Sequence, residues 1–234
     1  MTNKQGLFIT LEGGEGSGKS TLMRYLVDAF TAQGKEVVAI REPGGTPFAE
    51  TLREVYFNHE GLSGESVALL MNAGRVDNLE KIINPALREG KVVISDRFSA
   101  SSLVYQGIRK GIYPTVERIT KHVPMVTLFL DVRPEIGLER IRLNNRETNR
   151  LDLLPLDEHR IIYQGFKSLQ ELKPDVYWDV VIDGEQSSEM IQEVVKHRLV
   201  PEVIEGLNLG ETTSDMKQRL RKTVFQKQLD FLHM

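Results

Sequence analysis
Short apolar runs alternate with amphipathic stretches along most of the chain. The runs at 7–12, 36–41, 91–95, 126–132 and 178–182 predict strands. Apolar residues at helical spacing predict helices over 18–32, 47–57, 64–89, 99–107, 114–122, 134–145, 157–171 and 187–204. Five strands alternating with helices specify an α/β fold with a parallel sheet covered on both faces, because right-handed crossovers place helices on each side. Ligands of such sheets sit beyond the carboxyl ends of the strands, so the residues just after each strand are the first candidates for chemistry.

Beyond 204 the pattern changes. Met216, Leu220 and Val224, then Phe225, Leu229 and Leu232, recur at helical spacing, with Lys217, Arg219, Arg221 and Lys222 between them. The expected organisation is one domain over 1–204 and a helical C-terminal extension over 205–234 that packs on the protein itself or on a second subunit. A basic amphipathic contact with a membrane surface is the alternative.

The most informative stretch follows the first strand. Gly13, Gly14, Glu15, Gly16, Ser17, Gly18, Lys19, Ser20 and Thr21 fit the pattern G-x-x-x-x-G-K-[ST] between a strand and a helix. Glycines let successive backbone N–H groups close around phosphate oxygens, and the positive end of the following helix points at the same anion. Lys19 would reach the β- and γ-phosphates, and Ser20 would offer its hydroxyl to Mg²⁺. The dinucleotide pattern G-x-G-x-x-G is not met, because Gly14, Gly16 and Gly18 run as G-x-G-x-G.

Other strand ends add candidates. Arg41-Glu-Pro-Gly-Gly-Thr-Pro47 is a turn by its backbone chemistry, yet Arg41 and Glu42 lie where a ligand would. Asp96 follows the third strand, placed to hold Mg²⁺ directly or through water, and Arg97 beside it can bridge phosphate oxygens. Asp131 has the same place on the fourth strand and reads as a cap or structural acceptor. Arg75 interrupts the apolar face of a helix. Arg140, Arg142, Arg146 and Arg150 crowd a stretch that ends at the breaker Pro155. They read either as a solvated basic helix end or as a closing lid, over about 142–156, that brings an arginine to a transferring phosphoryl group. Asp183-Gly-Glu-Gln186 follows the last strand, where an adenine pocket or a plain turn fits equally.

Composition narrows the partners. Thirty basic against thirty-three acidic residues give a net charge of −3, so no global field attracts nucleic acid and phosphate recognition falls to local arginines. The chain has no cysteine, which excludes disulfides and thiolate metal sites. No signal-peptide core follows Met1, and no apolar run is long enough to span a bilayer, so a cytoplasmic protein without membrane contact is expected.

Several of these motifs together resemble the thymidylate kinases, the dTMP kinase branch of the nucleoside monophosphate kinases, in their bacterial type. The resemblance rests on Glu12-Gly-Gly-Glu-Gly-Ser-Gly-Lys-Ser-Thr21, Arg41-Glu-Pro-Gly-Gly-Thr46, Leu-Leu-x-x-x-x-Arg ending at Arg75, Pro85-Ala-Leu87, and Asp96-Arg97 followed by Ser101-Ser-Leu-Val-Tyr-Gln-Gly107. It implies a P-loop kinase that moves the γ-phosphoryl of ATP to dTMP with Mg²⁺, in dTTP synthesis, and works as a homodimer. It further implies that Glu15 faces the acceptor phosphate and its Mg²⁺ shell, that Glu42 holds the deoxyribose side, and that Arg53 and Arg97 grip the dTMP phosphate. Arg75 would donate to the thymine carbonyl, with Ser102, Tyr105 and Gln106 lining the base and sugar pocket. The transition-state arginine would come from the lid: Arg150 by motif position, with Arg146 and Arg142 in reserve. Three positions depart from the family: Met71 stands where Phe usually stacks on thymine, Phe98 replaces Tyr or His after Asp-Arg, and the tail past 205 is longer. Met71 leaves a deoxynucleoside kinase or a broader deoxynucleoside monophosphate kinase open. A non-enzymatic nucleotide switch is the reading from another class.

Overall fold
The computed structural model describes residues 6–144, 147–173 and 177–231, with side chains described up to Lys222. Five strands, β1 (Leu7–Glu12), β2 (Val37–Arg41), β3 (Val92–Asp96), β4 (Val126–Asp131) and β5 (Val180–Asp183), form one parallel sheet in the order β2-β3-β1-β4-β5. The predicted strands are all present, displaced by no more than two residues at either end.

Eleven α-helices are described. The first six are α1 (Lys19–Ala32), α2 (Pro47–Asn58), α3 (Gly64–Asn78), α4 (Asn84–Arg88), α5 (Ser99–Ser102) and α6 (Tyr113–Ile119). The rest are α7 (Pro134–Leu143), α8 (Leu156–Leu172), α9 (Ser188–Val194), α10 (Val200–Leu209) and α11 (Thr213–Phe231). Thr46 caps α2, its hydroxyl accepting from Ala49 N–H with Pro47 in the first turn, and Ser63 caps α3 in the same way. Three widened π-type turns, at Leu79–Ile83, Leu103–Ile108 and Val195–Leu199, join helical segments. Two of them immediately precede a helix with Pro85 or Pro201 in its first turn, where the missing proline N–H and the bulk of its ring disturb the regular hydrogen-bond ladder.

Strand side chains alternate between two faces. Leu7, Ile9 and Leu11 join Leu22, Leu26 and Phe30 of α1 and Val200 and Val203 of α10 in the largest buried cluster. Phe8 and Val93 face the other way toward Ile83 and Phe98, and Phe129 meets Phe166 and Trp178. A parallel sheet buried on both sides explains why its strands read as continuous apolar runs.

Helix α10 runs through position 204, and α11 packs into the same core as the sheet. Met216 and Leu220 enter the main core, and Lys217 and Arg221 reach the buried Asp179 carboxylate at 3.3 and 3.1 Å. Asp179 also accepts from Thr127 N–H at 2.9 Å, so α11 is tied to the start of β5, at the edge of the sheet remote from the carboxyl ends. Val224, Phe225 and Leu229 have no described side chain, and Leu232 lies outside the described residues. No helix among the described residues is long and apolar enough to cross a membrane.

Candidate active site
A cleft of about 850 Å³ opens at the carboxyl ends of the strands, bounded by the loop after β1, Arg41–Pro43 after β2, Asp96 and Arg97 after β3, and Gly184–Ser188 after β5. It lies over β1, where the chain crosses from one half of the sheet to the other.

The loop from Gly13 to Gly18 wraps its backbone into the start of α1. Gly16 holds φ of 69°, and a Cβ there would fall 2.0 Å from the Gly137 carbonyl oxygen of α7, so the loop is seated against α7 by a contact only glycine allows. Lys19 folds back over the loop: Nζ donates to the Gly13 carbonyl at 3.1 Å, the Gly14 carbonyl at 2.7 Å and Ser17 Oγ at 3.2 Å. Burial and the nearby Arg97 charge lower its pKa, Asp96, Glu15 and Glu12 push the other way, and the balance is about 8. Ser20 Oγ donates to Asp96 Oδ2 at 3.3 Å. These adjoining oxygens are hard donors of the kind Mg²⁺ takes, and a carboxylate, a hydroxyl and phosphate oxygens make a donor set that fits it.

Arg97 joins this loop to the next part of the site. Its φ of 72° turns the side chain back toward β1. Nη1 donates to the Gly13 carbonyl at 2.9 Å and to Ser101 Oγ at 3.1 Å, and Nη2 donates to Glu15 Oε1 at 2.7 Å. The Tyr105 hydroxyl donates to the same Glu15 oxygen at 2.9 Å. Burial alone would raise the Glu15 carboxyl, but Arg97, Lys19 and the Tyr105 hydrogen bond outweigh it and hold it at about 2.

A smaller pocket continues from Arg97 between α2, α3 and the turn at Leu103–Ile108. Met71, Arg75, Phe98, Ser102, Tyr105 and Gln106 line it, with Glu42 and Tyr56 at its sides. Arg75 is buried, its Nε donating to Glu42 Oε2 at 2.9 Å and its Nη2 to Ser102 Oγ at 3.0 Å. Its Nη1 finds no partner among the described residues, which leaves a donor for a ligand carbonyl. Burial raises the Glu42 carboxyl, and the Arg75 charge opposes it. Phe98, the residue without a polar tip, is buried edge-on against Phe8 at 4.9 Å, where an apolar ring belongs. Arg53 donates to the Pro43 carbonyl at 2.9 Å and lies over Phe57, lining the main cleft with Arg97.

The arginine-rich stretch divides. Arg140 lines the main cleft and donates to the Gly184 carbonyl at 2.7 Å, tying α7 to the turn after β5. Helix α7 ends at Leu143 with Arg142 exposed, and Arg146 lies outside the described residues. Arg150 stands in a turn past the helix and does not line the main cleft. Its guanidinium lies 4.0 Å from the Tyr56 ring centroid, and Nη1 donates to the His59 carbonyl at 3.3 Å, beside a second cavity of about 310 Å³ that shares Tyr56, Tyr105 and Gln106 with the smaller pocket. Asp131 takes the structural role: Tyr163 and Lys167 of α8 donate to its two oxygens at 2.8 and 2.6 Å.

Two residues assigned no role from the sequence, Asn78 and Glu12, organise this geometry. Asn78 is buried, donates to the Gly44 carbonyl at 2.8 Å and accepts from Thr46 N–H at 3.0 Å, so it shapes the whole Arg41–Thr46 turn. Its place three residues after Arg75 on one helix face was the available signal. Glu12 is a carboxylate at the end of a fully buried strand, accepting from Phe98 N–H and the Ser101 hydroxyl. A charge closing an apolar run was the signal there.

A protein-family model described as thymidylate kinase matches residues 11–195. The thymidylate kinase of Bacillus licheniformis is 40% identical over 195 residues, covering 80% of this chain and 91% of that protein. Those of Shouchella clausii and Clostridium novyi are 42% and 43% identical over 181 and 180 residues, 74% and 73% of this chain and 85% and 88% of theirs. With the loop, Arg41–Pro43 and Asp96–Arg97 meeting in one cleft, the chain belongs to the thymidylate kinase family, the kinases that phosphorylate dTMP to dTDP.

Proposed function
We propose that the Gly13–Thr21 loop takes ATP, that the pocket beyond Arg97 takes dTMP, and that the γ-phosphoryl passes between them across Glu15. The observation that carries this reading is the position of Arg97, which touches the loop at Gly13 and Glu15 while lining the pocket that holds Arg75. An arginine in that place can meet the acceptor phosphate within reach of the donor.

An oxygen of the dTMP phosphate attacks the γ-phosphorus as the bond to the β-bridging oxygen breaks, and ADP leaves with that electron pair. The attacking group is already an anion, so no strong general base is required, and alignment and charge stabilisation carry the catalysis. Lys19 leaves the loop carbonyls for the β- and γ-phosphates. Arg97 and Arg53 align the acceptor phosphate, and Glu15, ionised throughout the neutral range, faces it. Ser20 and Asp96 would hold Mg²⁺, which when bound neutralises charge on the donor phosphates. Arg75 offers its free Nη1 to the thymine carbonyl, Ser102, Tyr105 and Gln106 line the base and sugar pocket, and Glu42 supports the deoxyribose side. Arg150 moves from Tyr56 toward the transferring group as the 147–155 segment closes and excludes water.

Phe48 of α2 and Leu69 and Val76 of α3 are exposed apolar residues that a second copy of the chain would cover, and light scattering tests the homodimer. The function is tested by ADP release with dTMP, dUMP, dGMP and thymidine as acceptors. The reading expects dTMP to be the best of them, and no turnover of dTMP at millimolar concentration would overturn it. A broader acceptor range is the second reading, favoured by Met71 in the pocket wall, and comparable rates with dUMP or dGMP would establish it.

A further inference from the structure
Glu12 is buried completely at the end of β1, yet no part of the phosphotransfer described above uses it. Its Oε1 accepts from Phe98 N–H at 2.8 Å, and its Oε2 accepts from the Ser101 hydroxyl at 2.5 Å. The Ser101 oxygen accepts in turn from Arg97 Nη1 at 3.1 Å. A guanidinium only donates and a hydroxyl has one proton, so the polarity of this chain is determined: Arg97 donates to Ser101, and Ser101 donates to Glu12. Charge on the carboxylate polarises the hydroxyl and strengthens the bond it accepts.

The same carboxylate secures the backbone that aims Arg97. Residue 97 holds a left-handed φ that non-glycine residues seldom adopt, and the bonds around it are Arg97 N–H to the Leu11 carbonyl at 2.9 Å, the Ser95 hydroxyl to the Arg97 carbonyl at 2.7 Å, and Phe98 N–H to Glu12. Arg97 therefore has two edges with different partners. Nη1 is held by Ser101 and the Gly13 carbonyl, and Nη2 is held by Glu15 in the open cleft. An arriving phosphate competes with Glu15 for the outer edge. It cannot compete for the inner edge, which faces the buried carboxylate.

We propose that Glu12 and Ser101 form a positioning relay that fixes the inner edge of the Arg97 guanidinium while its outer edge takes the acceptor phosphate. This rests on the reading of Arg97 as an acceptor-phosphate ligand. A neutral amide at position 12 would break the relay: one oxygen could still accept from Phe98 N–H, but the NH₂ group would face the Ser101 hydroxyl and force its proton toward Arg97. Arg97, Arg75, Lys19 and Tyr177 are the charged and titratable groups facing Glu12. Burial raises the carboxyl against the Ser101 bond, Arg97 and the Phe98 N–H, to about 6, so acid conditions discharge the relay while Glu15 stays ionised.

The test is steady-state kinetics with ATP and dTMP varied separately, together with melting temperatures, for Ser101→Ala, Ser101→Thr, Glu12→Gln and Arg97→Ala. Losing a hydrogen bond to a charged group predicts a rise of about tenfold in KM for dTMP in Ser101→Ala and Glu12→Gln. The KM for ATP is expected to stay within about twofold, and Ser101→Thr recovers most of the loss because it restores the hydroxyl. Ser101→Ala removes only an oxygen from a folded segment, so the proposal stays testable if Glu12→Gln fails to fold. An unchanged dTMP KM in Ser101→Ala overturns the relay, as does an equal rise for both substrates with a lowered melting temperature, which would mark a purely structural contact. If Arg97→Ala itself leaves dTMP kinetics unchanged, the reading of Arg97 fails and the relay fails with it. If Arg97→Ala weakens dTMP and Ser101→Ala does not, the relay alone fails.

Discussion

Arg150 lies over the ring of Tyr56, its guanidinium 4.0 Å from the ring centroid, in the wall of the cavity that also contains Tyr105 and Gln106 and outside the lining of the phosphate-loop cleft. A cation over an aromatic ring is held by about 0.5–2 kcal/mol, weak enough to be exchanged for a transferring phosphoryl group. Under the proposed role of Arg150 as the transition-state arginine, its side chain has to leave Tyr56 to reach the reacting atoms.

Arg150→Ala is therefore expected to lower kcat by about a thousandfold with the KM for dTMP changed by less than about threefold, since the arginine contributes when charge develops in transit. Steady-state kinetics with dTMP varied at saturating ATP read both numbers. A change confined to KM would mean that Arg150 binds substrate where it now rests.

Lys19 links turnover to pH. Its pKa, lowered chiefly by burial to about 8, means that the free enzyme loses the ammonium as pH rises past that value, while below it the charge is complete. The expected result is a kcat/KM for ATP that falls above about pH 8. Lys19→Arg removes this alkaline limb, because a guanidinium keeps its proton there. Lys19→Ala lowers the rate below a tenth of wild type at any pH, measured by the same ADP assay.

Under the proposed reading of the smaller pocket as the dTMP site, Met71 meets the base. A thioether fills the pocket wall flexibly, whereas an aromatic ring stacking on a base adds about 0.5–1.5 kcal/mol. Met71→Phe is expected to lower the dTMP dissociation constant about two- to tenfold by calorimetry, with ATP binding unchanged.

Helix α11 carries a stability prediction distinct from the site. Asp179 is buried against Lys217 and Arg221 at the far edge of the sheet. Removing one partner of a buried ion pair costs about 3 kcal/mol, so Asp179→Ala should lower the melting temperature by roughly 6–12 °C. The KM values at 25 °C should remain those of wild type, since Thr127, Lys217 and Arg221, the polar partners of Asp179 named above, all lie outside the cleft lining.

The sheet and the phosphate loop were legible because both are written in local patterns: runs of apolar residues for the strands, and glycines at fixed spacing for a turn that needs positive φ at Gly13, Gly16 and Gly18. The positions of Asp96 and Arg97 followed from their being next to a strand end. Asn78 and Glu12 were not legible, because their partners lie 32 to 89 residues away and their role exists only once β1, β3 and α3 are packed together. The same holds for the resting place of Arg150, which depends on Tyr56, ninety-odd positions earlier. Its charge was visible in the sequence, and the direction it faces was set by tertiary packing.

The central claim is direct transfer between two phosphate subsites that meet at Arg97 and Glu15. Following the label of γ-³²P ATP in the presence of dTMP tests it most directly. The account predicts that the label appears in dTDP in equal amount to the ADP formed, and that little reaches inorganic phosphate. Label released as phosphate at a rate indifferent to dTMP would contradict it.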